Sequence, residues 1–323
     1  MTSAISRLQI IGAQVRPNRA AKKTIQIGDR SYEEVVDYEP KLSTKLSYFN
    51  KQGWGYNDSR FKLTKVNGKP LVSFTGKRYL YAGQTLPEFF DWAEKNVSLD
   101  MNNMQPPQET MEVDAPKVLS HPFMEDLDQA KCYSRRSFED AERTMHSHGA
   151  SLREVFALRY GRFERYVDLV VYAGTTEHVE QLVALAGKHN VILVPYGGGT
   201  NVTQALWLKK DDEVQADRMI VSLDMSRMNK ILWVDKDNMI ACVQAGIRGQ
   251  DLERKLTAQG MISGHEPDSS EFSTLGGWIS TRASGMKKNT YGNIEDIVKG
   301  FTFVTPKGVF KKEAHWPRVS AGP

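Results

Sequence analysis

Asp168-Leu-Val-Val-Tyr-Ala173 opens the most informative segment of the chain, which continues through 176–190 into Val191-Ile-Leu-Val194. Asp168 to Ala173 is short, apolar and rich in β-branched residues, the composition of a buried strand. Thr176 can cap the helix that follows, and Glu177 suits its positive end. Val179, Leu182, Val183 and Ala186 then fall at i, i+3, i+4 and i+7, an apolar stripe on one helix face. The helix should stop near Asn190. Val191 to Val194 reads as a second buried strand. The three pieces make a β-α-β unit, which predicts parallel strands and a right-handed crossover.

The second strand runs directly into Pro195-Tyr196-Gly197-Gly198-Gly199-Thr200-Asn201. Three successive glycines remove three Cβ atoms, so the backbone can curl with its N–H groups aimed into one concavity. Pro195 fixes one backbone angle, and Thr200 adds a hydroxyl. Pyrophosphate suits such a nest, because it needs many donors at close range and no side chain in the way. The pattern is neither a P-loop nor the G-x-G-x-x-G fingerprint.

Further along, Met219 to Leu223 reads as a strand. Ile231 to Val234 and Met239 to Val243 read as a hairpin about Asp235-Lys-Asp-Asn238. The stretch 246–259 reads as a helix with Leu252 and Leu256 on one face and Gly260 as its stop. A second unusual loop follows, Gly264-His265-Glu266-Pro267-Asp268-Ser269-Ser270-Glu271-Phe272-Ser273-Thr274. Then comes Gly276-Gly277-Trp278-Ile279-Ser280-Thr281-Arg282-Ala283-Ser284-Gly285. Two such loops in one domain can clamp an extended ligand from both sides.

Towards the amino terminus the pattern weakens. Leu86 to Ala93 looks like a helix start with Pro87 in its first turn. The stretch 100–117 holds three prolines and reads as a linker, and 138–149 reads as a helix ending in Gly149. His146 and His148 stand two apart, the wrong spacing for two ligands on one helical face, so they are expected on the solvated surface. The divisions expected are a leader over 1–50, a mostly helical region over 51–161 and the ligand-binding domain over 162–323.

A chain of 323 residues, 40% hydrophobic and 25% charged, has the size for two domains and the composition of a globular protein. It has no apolar run of about 18 residues, and no secretory signal is expected. The net charge of +4 is spread along the chain without a basic patch, which argues against nucleic acid. Cys132 and Cys242 form no CxxC or His/Cys cluster, so no metal site is expected, and both read as buried thiols.

With both loops in view, the chain resembles the FAD-binding domain of the vanillyl-alcohol oxidase/para-cresol methylhydroxylase superfamily. More closely it is similar to the alkylglycerone-phosphate synthase family. That resemblance also rests on Gly53-Trp54-Gly55-Tyr56-Asn57-Asp58, Thr75-Gly76-Lys77-Arg78-Tyr79, Arg162-Phe163-Glu164-Arg165, Met286-Lys287-Lys288-Asn289 and Tyr291-Gly292-Asn293-Ile294-Glu295-Asp296. It implies an α+β fold of two α/β subdomains behind a mostly helical amino-terminal region. It implies non-covalent FAD held by Pro195 to Asn201, by Pro267, Asp268, Ser269, Ser270, Glu271, Phe272 and Ser273, and by Ser280, Thr281, Arg282 and Ala283. Tyr196 stands where the family has an aliphatic residue, Asn201 where it has Ser, and Ser270 where it has Leu. The resemblance places Arg282 near phosphate or flavin, with a structural ion pair as the alternative. His265 is a candidate acid–base group, with a turn residue as the alternative.

The family's reaction replaces the fatty acid of acyl-dihydroxyacetone phosphate by a fatty alcohol, giving an ether without net redox, with the flavin as a covalent trap. The resemblance also implies a homodimer, peripheral membrane contact and a peroxisome. Arg7-Leu8, five residues and Gln14-Val15 match the spacing of an amino-terminal peroxisomal signal, with Val15 departing at the last position and the start of an amphipathic helix or a disordered leader as the alternative. The family continues well past Pro323 and carries its catalytic tyrosine and histidines there, for which Lys311, Lys312 and His315 are no substitute. A fragment is therefore expected, with no catalytic residue of its own. Two other readings stand beside the synthase: a flavin oxidoreductase acting on a hydroxy acid or phenol, and an inactive flavin-binding module.

Overall fold

The computed structural model describes residues 22–27, 30–35, 53–97, 105–109, 111–209 and 217–312. The Arg7 to Val15 spacing, most of the expected leader and His315 lie outside them. The described chain is a mixture of helices and small sheets, in keeping with the α+β expectation.

The organising sheet has four strands in the order β6-β7-β9-β8: Arg135–Ser137, Leu169–Tyr172, Ile220–Asp224 and Ile192–Tyr196. β7 and β8 both run parallel to β9, and β6 pairs with β7 antiparallel. The parallel relation expected of β7 and β8 is present, with β9 inserted between them. The connecting helix α5, Thr176–Lys188, buries Leu182 and Ala186 against the sheet. Burying a Leu of this kind stabilises by about 1.5–3 kcal/mol. Its cap is Thr175, whose hydroxyl accepts from the His178 N–H at 3.2 Å, one residue earlier than expected. Asn190 ends the turn in the left-handed region at φ 53°, which Asn tolerates.

Asp168 fastens the start of β7. It is fully buried and accepts from the N–H groups of Lys117 (2.7 Å) and Ile220 (2.8 Å) and from both terminal nitrogens of Arg165. The strap over 105–109 and 111–117 has no regular structure, as expected of a linker, yet it is tied down. The Gln108 side chain donates to the carbonyls of Leu158 and Gly161, and Arg143 donates to the Asp114 carbonyl.

A second core lies beyond the hairpin β10 (Ile231–Asp235) and β11 (Ile240–Val243), whose turn is the expected one. There α6 (Gly249–Thr257), α7 (Leu275–Thr281) and α9 (Ile294–Ile297) surround Leu252, Leu256, Trp278 and Ile294. α8 (Lys288–Tyr291) precedes α9, and the hairpin β12 (Phe301–Thr305) and β13 (Gly308–Lys312) closes the described chain.

Among its described residues, the region 51–161 holds four helices: α1 (Phe89–Val97), α2 (His121–Ala130), α3 (Asp140–Met145) and α4 (Leu152–Tyr160). It also holds the three-stranded antiparallel sheet β3 (Phe61–Val66), β4 (Lys69–Phe74) and β5 (Thr85–Leu86), which the helical reading left out. The signal was present: Phe61-Lys-Leu-Thr-Lys alternates, and Asn67-Gly68 is a strong two-residue hairpin turn. Further upstream, β1 (Lys22–Ile27) and β2 (Arg30–Val35) form another hairpin.

Candidate FAD site

The carboxyl ends of β8 and β9 carry the site. β8 ends at Tyr196, opposite Asp224 of β9, and the three glycines follow at once. Among the described residues no group accepts from the N–H of Gly198, Gly199 or Thr200. Three adjacent open donors are what an anion nest requires. Gly199 lies at φ +66°, the left-handed conformation that turns the loop back on itself.

The glycines serve a second purpose that spacing alone did not show. A Cβ on Gly197 would strike the Thr274 hydroxyl, and one on Gly198 would strike the Phe272 carbonyl. The absent side chains therefore let the two expected FAD loops close on each other, leaving the N–H side of the nest for a ligand. The structure thus brings Pro195 to Asn201 together with Pro267 to Ser273, as two clamping loops require.

The second loop is held differently. Its own turns take the N–H groups of Ser270, Phe272 and Ser273 onto the carbonyls of Pro267 and Ser269. Its outer edge lies on the start of α6, where Gly249 N–H donates to Ser273 O at 3.0 Å and Gln250 N–H to Ser270 O at 2.9 Å. Phe272 is buried beneath Trp54 and Tyr56, at centroid distances of 4.9 and 5.1 Å. The Tyr79 hydroxyl donates to Glu271 at 2.8 Å. The segments 53–58 and 75–79, which carried the family resemblance, are the outer wall of this loop.

The third segment belongs to α7. Thr274 caps that helix, its hydroxyl accepting from Gly277 N–H at 3.3 Å. Gly277, Ser280 and Thr281 follow at helical spacing, all exposed, so a face without long side chains leads from Thr274 to the end of the helix. Ser280 and Thr281 turn their hydroxyls back to the carbonyls of Gly276 and Gly277. Arg282 closes the helix in the left-handed conformation and pairs with Glu295 at 3.3 Å, 78% exposed, and Ala283 packs on Trp278. In this structure Arg282 makes the ion pair that was the alternative to a phosphate role.

His265 is 5% exposed and packs on Trp278 at 4.8 Å, with neither ring nitrogen hydrogen-bonded among the described residues. Burial lowers its pKa, so it stands as a neutral ring. It lines a cavity of about 410 Å³ between α6 and the second loop, with Ser270, Glu271, Glu253 and Lys287. No group of His, Cys, Asp or Glu among the described residues is arranged for a metal. Cys132 is buried and Cys242 half-buried, both free thiols.

One expectation is overturned beside the nest. His146 is not on the surface: it is 1% exposed, with Nε2 2.8 Å from Asp224 Oδ2 and Nδ1 2.7 Å from the Glu142 carbonyl. His148 is half-buried and stacked on Phe163. No local signal marks His146 as internal, because its partner Asp224 is 78 residues away. Tyr196 lies 4.2 Å from the His146 ring, and burial together with the Asp224 charge raises its pKa.

Comparison with known proteins agrees with this geometry. Residues 167–312 match the FAD binding domain family. The chain is 41% identical over 292 residues to the alkyldihydroxyacetonephosphate synthase of Caenorhabditis elegans, covering 90% of this chain and 47% of the relative. It is 37% identical over 268 residues to that of Dictyostelium discoideum, covering 80% and 42%. A solved alkyldihydroxyacetonephosphate synthase superposes with a TM-score of 0.74 at 36% identity, covering 83% of this chain and 50% of that one. The chain therefore spans about half the length of these relatives. On sequence and fold alike, residues 167–312 match an FAD binding domain, and the chain is similar over most of its length to the alkyldihydroxyacetonephosphate synthases.

Proposed function

We propose that this chain supplies the FAD-binding part of an alkylglycerone-phosphate synthase. The whole protein would exchange the acyl chain of acyl-dihydroxyacetone phosphate for a fatty alcohol, giving alkyl-dihydroxyacetone phosphate. One observation carries the reading: the match to synthases covers 292 residues, well beyond the domain over 167–312. It therefore takes in chain outside the flavin domain, where Trp54, Tyr56 and Tyr79 wall the second loop.

The residues present fit FAD. The open N–H groups of Gly198, Gly199 and Thr200 would hold its pyrophosphate, and the close-packed second loop would bound it on the other side. The small-residue face of α7 leaves room for a flat ring system along Gly277, Ser280 and Thr281. When bound, FAD supplies the electron-rich ring that permits exchange of acyl for alkyl without net electron transfer. This chain's own residues bind and orient it and, through Phe272, Tyr56 and Trp54, keep one side of the loop dry. We assign no proton-moving role on the substrate to residues of this chain.

The same reading includes lipid substrates, a homodimer, peripheral membrane contact and a peroxisomal location, the last inferred from the family resemblance with the Arg7 to Val15 spacing beside it. The decisive experiment is incorporation of labelled fatty alcohol into acyl-dihydroxyacetone phosphate by the full-length protein. Release of fatty acid matched by ether formation is expected. Dye reduction with a hydroxy acid, without exchange, would replace the synthase by an oxidoreductase.

A further inference from the structure

The turn over 146–150, between α3 and α4, touches the nest at both of its ends. At the first end the buried His146 ring lies 4.2 Å from the Tyr196 ring. Tyr196 in turn lies flat against Gly199: a Cβ there would stand 2.5 Å from the phenol oxygen and 3.0 Å from Cζ. At the other end Ala150 N–H donates to the Asn201 carbonyl at 2.8 Å. A Cβ on Gly149 would meet the same carbonyl at 2.6 Å and the Asn201 amide at 2.8 Å.

The turn itself is rigid. His146 is fixed through both nitrogens, by Asp224 at the end of β9 and by the Glu142 carbonyl. Glu142 is buried and held by Arg135 and by the Tyr172 hydroxyl at 2.6 Å. Gly149 N–H donates to Glu154 of the α4 capping box at 2.7 Å, and His148 stacks on Phe163. Asp224, Glu142 and Glu154, which hold the turn by hydrogen bonds, are each anchored on a strand or a helix.

We propose that this turn is a brace for the cofactor site, in which His146 and Gly149 are positioning residues that set FAD affinity without touching FAD. The brace fixes the separation of Tyr196 and Asn201, and so the curvature that aims the N–H groups of Gly198, Gly199 and Thr200 at one point. A preorganised nest binds more tightly because ordering the loop costs nothing at the moment of binding. The inference rests on the FAD reading above.

The test is equilibrium FAD binding to the whole chain, read by quenching of flavin fluorescence, with the melting temperature of the apoprotein measured alongside. Gly149→Ala and His146→Gln should each weaken FAD by about tenfold or more. Tyr196→Phe keeps the ring and should bind as the parent chain does. Tyr196→Ile should weaken FAD, and in combination with His146→Gln should add little further loss, since the two act through one contact. That coupling in affinity is the signature a merely structural histidine would lack. If His146→Gln destabilises the apoprotein badly, the Tyr196→Phe and Tyr196→Ile pair still decides. Equal FAD affinity in Tyr196→Ile, Gly149→Ala and the parent chain overturns the brace while leaving the FAD reading intact. Failure of the parent chain to bind FAD overturns both.

Discussion

The two loops that meet at the site are made rigid by opposite means. Pro195 to Asn201 has three glycines in a row, makes few bonds of its own, and takes its shape from its buried Tyr196 ring and from His146 and Asp224 beneath it. Pro267 to Ser273 closes its own turns, docks by two N–H···O bonds on α6 and buries an aromatic anchor, Phe272. The first loop keeps its donors open because its neighbours do the holding. The second gives up three of its backbone donors, those of Ser270, Phe272 and Ser273, to hold itself. A binding loop that must offer N–H groups cannot also use them for its own stability, and the glycine loop shows that division of labour.

The largest effect should come from Gly198→Val. The branched side chain would collide with the Phe272 carbonyl and force the loops apart. FAD binding is expected to be abolished, read by the absence of flavin absorbance after gel filtration with excess FAD. Retained affinity would mean that the loops need not touch and would break the comparison at its root. Next comes Phe272→Ala, which removes the anchor of the second loop from beneath Trp54 and Tyr56. Truncations of buried Phe cost about 3–5 kcal/mol. The measurement is urea unfolding of the apoprotein, where a loss below about 1 kcal/mol would show that α6 alone holds the loop.

The first loop and its strands were legible in sequence because their signals are local. The stripe Val179, Leu182, Val183 and Ala186 fixed α5, and three glycines after a β-branched run marked the nest. The second loop was visible in sequence as an unusual glycine- and hydroxyl-rich stretch, but its anchoring was not, because Trp54, Tyr56 and Tyr79 stand about 190 or more residues away. His146 was misplaced for the same reason. A histidine in a polar stretch reads as exposed, and only the fold brings Asp224 to it. The β3–β4 hairpin is a different kind of miss, because Asn67-Gly68 and the alternating Phe61-Lys-Leu-Thr were visible in the residues themselves.

A smaller effect is expected where the loops join. Thr274 both caps α7 and fills the place of a Gly197 Cβ. Thr274→Ala removes the cap and should cost about 1 kcal/mol of stability. Thr274→Ser keeps the hydroxyl and should restore most of it. A Thr274→Ala chain as stable as its parent in urea would show that the remaining loop contacts hold the start of α7 without its cap.

The smallest effect separates the undersides of the two loops by pH. His148 stands behind the first loop and His265 beside the second, and burial holds both below the ordinary imidazole value of 6.5. Each is neutral in the folded chain, so below about pH 6.5 the unfolded chain binds more protons than the folded one. Their contribution to stability is therefore present above that pH and is lost as pH falls through the lowered folded values. The melting temperature should decline between about pH 7 and 5, ahead of the carboxylates Asp58, Asp126 and Glu142, whose lowered values act only at more acid pH. His265→Phe should flatten that decline in the apoprotein, because a phenyl ring keeps the packing on Trp278 without a charge to bury. His148→Phe should do the same through Phe163, on the side of the glycine loop. If only His148→Phe flattens it, acid sensitivity lies with the loop that depends on its neighbours. If only His265→Phe does, the self-supported loop is the more fragile of the two, and the division of labour between them must be redrawn.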